Sequence, residues 1–470
     1  MSKHLRLCEW SRSAHHGLDR ETRLHIDAVT EAWRLLNCLP TSPISFAGPD
    51  GSQLCSKQYV GVIEVEDVLI EIYPKLDSHV ISASDGQQIS QAETETVMKN
   101  LMWMMEVAQH RDLVETATAH VQEAPTSFFD VFAYLLGKNL LPQLKSGISH
   151  AYLSFEDDLR TVRGRMRLAQ QLTRNWNRFD RLACAWDEFT PDTPMNRLFK
   201  SACDFLSRRI SYSEASRLLV DCSTLLNDVT AVSADTALRE INNFRFDRSI
   251  VRFNATFDLA KRLLAGTGHN LGIGGTNTFV FLLDMNQVFE DYVHAVLESH
   301  FEVAVEEQKN IGKLLRLGVG GISQQADYYW QYRGDIWIGD AKYKHLTKDY
   351  HRPLRFRDLN EPEDERFKDA PLAGHLLSPD DIRQVTVYAE LVRAQEFLSS
   401  PPNLMLLYPF VGDVAISLAD SATTWNGSTL WLVPVQVTRQ DPLSCAIQLS
   451  PGDVVPANTP VAQNTLSNVK

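Results

Sequence analysis

The 470-residue sequence contains no apolar run long enough to cross a bilayer. The stretch Thr278–Leu283 stops at Asp284, whereas a spanning helix needs about 20 apolar residues. A secretory leader is also missing, because Met1 to His16 is polar and charged rather than a basic stub followed by an apolar core. Both absences point to a cytoplasmic protein without membrane partners. Cysteines number seven and none forms a CxxC pair, which argues against both a zinc ribbon and a disulfide framework. Phosphate loops are absent too: there is no GxGxxG, and Gly137-Lys138 and Gly312-Lys313 lack the Ser or Thr that completes a P-loop. The chain therefore carries no NTPase motor of its own. Positive charge is in deficit, 46 Lys and Arg against 59 Asp and Glu, for a net charge of −13. General attraction to phosphate is weak for such a chain, so any nucleic-acid contact must rest on local patches.

What is present is ordinary globular material, 44% hydrophobic and 22% charged, in a length that predicts two or three domains. The fold class expected is α+β multidomain. Tyr59–Ile63 and Val68–Ile72 read as paired strands within a β-rich N-terminal module, 1–92. Helical spacing at Val97, Leu101, Met104, Met105 and Ala108, again over Phe128–Leu144 and Met195–Ile210, marks a helical middle domain, 93–265. The glycine-rich stretch 266–277 reads as a hinge before a C-terminal α/β domain, 266–450, and 451–470 as a flexible tail. Two basic runs stand out. One holds seven arginines between Arg160 and Arg181, interleaved with Trp176 and Phe179; the other runs from Lys342 to Arg357. Each reads equally as a DNA-facing stripe or as a solvated face.

The chemistry concentrates in the C-terminal domain. Asp284–Glu298 has the apolar stripe of a helix, with Glu290 at its flank; strand-like runs follow at Phe301–Val305, Leu314–Leu317, Ala326–Tyr332 and Asp335–Tyr343, then a helix at Asp380–Phe397 and a strand at Leu404–Tyr408. Side chains alternate along a strand, so Asp340 and Lys342 project to one face. With Asp327 on the neighbouring strand, two hard oxygen donors become available to Mg²⁺. Lys342 is left to position water or to offset charge building on phosphorus. That combination is the core of the PD-(D/E)xK nucleases. Gln384 and Tyr388 fall one helical turn apart and share a face. The bland alternatives are a surface ion pair for Asp340 and Lys342, an exposed helix glutamate for Glu290, and helix packing for Gln384 and Tyr388.

Several segments together resemble the McrC family. They are the run Phe281–Val293 with its Asp-Met-Asn-Gln-Val-Phe-Glu core, Gln325-Ala326-Asp327, Asp340-Ala341-Lys342-Tyr343-Lys344, Gln384 to Tyr388, and Leu407-Tyr408-Pro409. Upstream, Gly61-Val62-Ile63, Ile72-Tyr73-Pro74-Lys75, Arg163-Gly164-Arg165 and Asp187-Glu188-Phe189-Thr190 with Asn196 extend the likeness. One departure is that Gln-Ala-Asp stands where Pro-Asp is usual. The resemblance implies the nuclease subunit of an McrBC-type, modification-dependent restriction system. Its catalytic residues would be Asp327, Asp340, Lys342, Glu290 and Gln384, and its metal ligands Asp327, Asp340 and Glu290. Mg²⁺ would be the cofactor, with Mn²⁺ a substitute. It further implies an AAA+ GTPase partner of the McrB type that binds GTP, reads double-stranded DNA with modified cytosine, and docks on the N-terminal and middle parts. Two other readings remain: a noncatalytic adaptor that activates a partner NTPase, and a free-standing repair nuclease. A neighbouring AAA+ gene separates the first reading from the last.

Overall fold

The alternating residues at 59–65 and 68–73 form the strand pair their pattern predicts, and they anchor the first of two compact units. The computed structural model describes residues 3–13, 16–39, 41–48, 51–76, 90–109, 124–242, 244–246, 248, 250–267, 278–317, 320–343, 379–398, 400–411 and 418–449. The expected tail at 451–470, the charged segment at 348–369 and most of the glycine-rich stretch lie outside these residues. Among those described, the first unit draws on 1–73, 85–98 and 120–283, and the second on 74–84, 99–119 and 284–470.

In the first unit, β1 (Lys3–Cys8) runs parallel to β6 (Val68–Tyr73), and β6 pairs antiparallel with β5 (Tyr59–Val65) through a tight turn at Glu66-Asp67. A short sheet of β2 (Arg12–Ser13), β4 (Gln53–Ser56) and β3 (Ile44–Ala47) accompanies them. The N-terminal module was expected to be β-rich, yet it also holds a 17-residue helix, α1 (Arg20–Leu36), capped by Asp19, which accepts from Thr22 N at 2.8 Å. Ile26, Val29 and Trp33 recur at three-to-four spacing and bury that face against Tyr59, Ile63, Ile70 and Ile72.

The sheet is completed from far along the chain, because β10 (Thr278–Asp284) pairs with β5 on its outer side. The expected division began the third domain at 266, but Val280 and Leu282 belong to the core of the first unit. Gly61 permits this union. Its φ is +140°, and a Cβ there would sit 2.1 Å from the carbonyl oxygen of Phe281. Gly61→Ala is accordingly expected to destabilise the protein by about 2–3 kcal/mol, through overpacking and strain together. A denaturant titration checks this: an unchanged midpoint would mean that β10 does not press on β5.

Helices α2 (Gln91–Gln109), α3 (Phe128–Lys145), α5 (Pro194–Ser207), α6 (Ser213–Leu225), α7 (Ala234–Ile241) and α8 (Asn254–Ala265) give the middle region its helical character. Buried Asp130 closes a capping box with Ser127 and also accepts from Ser211 N and Tyr212 N at 2.8 and 2.9 Å, tying the start of α3 to the start of α6. The region is not wholly helical. A three-stranded sheet of β7 (Ala151–Leu159), β9 (Leu182–Thr190) and β8 (Arg165–Met166), with the short α4 (Leu168–Arg174), interrupts it. Most of β7 is exposed, so it lacks the alternating apolar residues that would have announced a strand.

The second unit is built on a six-stranded mixed sheet, in the order β11 (Glu306–Leu317), β12 (Gly320–Tyr332), β13 (Asp335–Ala341), β14 (Asn403–Phe410), β16 (Thr429–Gln436), β15 (Asp420–Thr423). Strands β11 to β13 are antiparallel, and β13, β14 and β16 are parallel. Helix α10 (Pro379–Glu396) covers one face, with Val385, Tyr388, Ala389 and Val392 against Ile338, Leu404 and Leu406. Helix α9 (Met285–Phe301) covers the other: Phe301 packs on Trp330 and Trp337, and Tyr292 Oη donates to the carbonyl of Gln436 at 2.6 Å. The mixed α/β order matches expectation. The run Phe301–Val305 does not form the expected strand, since α9 continues to Phe301 and ends at Glu302 in the left-handed conformation. No described helix of either unit is long and apolar enough to cross a membrane.

Candidate active site

Two neighbouring strands and helix α10 bring Asp327, Asp340, Lys342 and Gln384 together. The register of β12 on β13, with Tyr328 opposite Gly339, sets Asp327 and Asp340 across from each other on one face. Asp327 Oδ2 accepts from the backbone N–H of Ala341 at 3.0 Å, and the Gln308 amide on β11 donates to Oδ1 at 3.4 Å. Lys342 follows the end of β13, and its own N–H donates to the Leu407 carbonyl at 2.8 Å, which extends the parallel pairing by one residue.

Asp340 is only 1% exposed. Lys342 Nζ lies 2.6 Å from its Oδ2, a close, buried ion pair. From α10, Gln384 spans the pair: its Oε1 accepts from Lys342 Nζ at 3.4 Å, its Nε2 lies 3.5 Å from Asp340 Oδ1, and Nε2 also donates to Tyr388 Oη at 2.5 Å. Gln384 and Tyr388, one turn apart, thus share a face as their spacing predicts. Glu290 sits half-buried on α9, where its backbone carbonyl accepts from Tyr328 Oη at 2.8 Å.

The charges at this site are mutually strained. Burial, and then the charge of Asp327, push the Asp340 carboxyl up to about 7 against the pull of Lys342. Burial also pushes Glu290 up to about 7, followed by the charges of Asp327, Asp291, Asp284 and Asp340. For Lys342, burial works against the charged form, but the adjoining Asp340 carboxylate outweighs it and holds the ammonium above its usual value. Lys342 is therefore a cation at neutral pH. Three carboxylates, Asp327, Asp340 and Glu290, around a single ammonium, with the charge of Asp327 raising the other two, are a setting that a divalent cation relieves. Among the described residues no three His, Cys, Asp or Glu side chains form a ready cage. Mg²⁺ does not require one, because it is commonly held by one or two carboxylates, retained waters and substrate phosphates. Asp327 and Asp340 fit that role.

The arginine-rich stretch lies in the first unit, and much of its charge is spent locally. Arg163 pairs with Glu188 at 3.0 Å and stacks over Trp186, Arg167 pairs with Glu156, and Arg174 lies 3.7 Å from Asp158. Trp176 and Phe179 are exposed at 70% and 94%. The second basic run falls almost wholly outside the described residues.

A family model described as McrBC 5-methylcytosine restriction system component matches residues 54–358. This chain belongs to the McrBC family. The matched residues include Glu290, Asp327, Asp340 and Lys342, while Gln384 lies beyond them. Among solved structures, this McrBC family member is similar to a chain of the refined half-complex from the tetradecameric assembly of Thermococcus gammatolerans McrB AAA+ hexamers with bound McrC. The identity is 16% and the TM-score 0.59, over 94% of this chain and 98% of that one. The cryo-EM structure of the Thermococcus gammatolerans McrBC complex gives 18% identity and a TM-score of 0.39 over 65% and 89%. At such identities the first likeness speaks for the fold alone, and the second carries no argument. No curated protein matches the chain.

Proposed function

We propose that this chain is the endonuclease subunit of a modification-dependent restriction complex, a PD-(D/E)xK enzyme that hydrolyses DNA phosphodiester bonds. The observation that carries the reading is the convergence of Asp327, within β12, with Asp340 and Lys342 at the end of the adjacent β13, with Asp340 buried and ion-paired. Asp327 and Asp340 would hold Mg²⁺, or Mn²⁺ in its place. When bound, the cation supplies the positive charge that lets phosphodiester hydrolysis run near neutral pH. Lys342 offers a fixed ammonium to the negative charge that grows on the phosphoryl oxygens, and Gln384 keeps that ammonium in place. Glu290, with a carboxyl near 7, is suited to take the proton of the attacking water. Family membership and the solved McrC bound to McrB AAA+ hexamers support a partner of that kind for this chain in the cytoplasm. The partner binds GTP, reads modified cytosine in double-stranded DNA, and is stimulated by this chain. A chain with a net charge of −13 depends on such a partner for recruitment to DNA.

The test is a reconstitution from purified chain, McrB-type partner, GTP, Mg²⁺ and cytosine-methylated duplex, with each component left out in turn. Cleavage is expected only when all are present, and its loss on chelation is expected to reverse when Mg²⁺ is restored. Robust cleavage by the chain without partner or nucleotide would replace this reading with a free-standing nuclease. Stimulated GTP turnover with no cleavage would make the chain an adaptor.

A further inference from the structure

Gln308 is unique among the described non-glycine residues in turning to the left-handed region inside a strand. Its φ is +47°, whereas Trp10, Cys38, Glu66, Glu302, Arg333 and Phe397, the others with positive φ, all lie in turns or at a helix end. Strand pairing alone does not require this conformation, which an L residue with a side chain adopts only at a cost. Strained backbone held by its surroundings clusters at functional sites.

The register shows what the strain achieves. Glu307 pairs with Tyr328 and Lys309 with Ala326, which places Gln308 opposite Asp327. Tyr328 pairs with Gly339, which places Asp327 opposite Asp340. Gln308, Asp327 and Asp340 thus form one row across β11, β12 and β13. Asp327 is engaged at both oxygens, Oδ2 by the Ala341 N–H at 3.0 Å and Oδ1 by the Gln308 amide at 3.4 Å. The first of these donors is a backbone group that any residue but proline supplies. The second is an exposed side chain on a strained residue.

We propose that Gln308 is a positioning residue for Asp327: its left-handed backbone aims the amide at Oδ1 and fixes the carboxylate plane, leaving the free lone pairs of Asp327 directed to the cation. This rests on the reading of Asp327 as a metal ligand. Partners that orient a ligating carboxylate typically govern metal affinity by about 10- to 100-fold.

Two variants separate positioning from a merely structural role. Gln308→Gly removes the amide and relieves the strain; Gln308→Ala removes the amide and keeps the strain. The thermal midpoint of Gln308→Gly is expected to equal or exceed that of Gln308→Ala, since glycine accepts positive φ freely. Both are expected to bind Mg²⁺ or Mn²⁺ about tenfold more weakly than the unaltered full-length chain, measured by calorimetry without DNA. Metal affinity that followed the thermal midpoint, or stayed unchanged in both variants while Asp327→Asn lost it, would overturn the positioning role. Unchanged affinity in Asp327→Asn as well would overturn the metal-site reading on which the role rests.

Discussion

Lys342→Ala is expected to lower DNA cleavage by about 100-fold or more in the reconstituted complex while the protein remains folded. The ammonium is fixed by Asp340 at 2.6 Å and by Gln384 at 3.4 Å, so it meets charge developing on phosphorus without reorganising. Its removal deprives a buried carboxylate of its counter-ion, a change that commonly destabilises a fold. Here the loss is limited, because Asp340 already has a carboxyl near 7 and takes up a proton once the lysine is gone. The backbone bond from Lys342 N to Leu407 does not depend on the side chain. Lys342→Met, which keeps the aliphatic stem, is the companion variant should the alanine protein melt early. Single-turnover cleavage beside a thermal melt gives the answer, and undiminished cleavage by folded Lys342→Met would remove the lysine from the chemistry.

The pairing of Asp340 with Lys342 was legible because strand alternation is local: residues two apart share a face whatever the strand packs against. The same holds for Gln384 and Tyr388 at helical spacing. Asp327 was legible as a candidate, but its place opposite Asp340 depended on a tight hairpin at Arg333-Gly334, and that turn formed as read. What escaped the sequence was non-local or weakly patterned. Nothing within Thr278–Asp284 tells that its partner is β5, some two hundred residues earlier; the one hint is Gly61, which makes room for it. Helix α1 carries its stripe at Ile26, Val29 and Trp33 among many charged residues, so its mean composition hid the periodicity. Strand β7 exposes most of its residues, and the buried residues of β9 are the consecutive Ala183, Cys184 and Ala185, so neither shows the alternation that identifies a half-buried strand. Gln308 has no signature at all, since its positive φ arises from the site it faces and not from its residue type.

Metal binding at this site is expected to release protons and to tighten steeply with pH. In the metal-free protein Asp340 and Glu290 both have carboxyls near 7, so at pH 6 each is mostly protonated; Asp340 must lose its proton to hold the cation, and the cation's field favours loss of the proton of nearby Glu290. The direction follows from the sign of the shift. A carboxyl raised on folding binds its proton more tightly in the folded chain, so metal-free stability declines as pH climbs from about 4 through 7. The cation reverses that penalty by neutralising the same charges. If both groups give up their protons, Mg²⁺ affinity rises about tenfold for each between pH 6 and 8, or about 100-fold in total, and levels off above. Calorimetry in buffers of different ionisation enthalpy counts the protons directly, with close to two released per cation expected near pH 6. Asp340→Asn and Glu290→Gln each remove one titrating group and should each reduce the rise to about tenfold, at lower affinity for Asp340→Asn. A rise of only tenfold in the unaltered protein, unaffected by Glu290→Gln, would exclude Glu290 from the metal's surroundings and leave Asp327 and Asp340 as its carboxylate ligands. Affinity independent of pH, with no proton released, would place the metal away from Asp340 and Glu290.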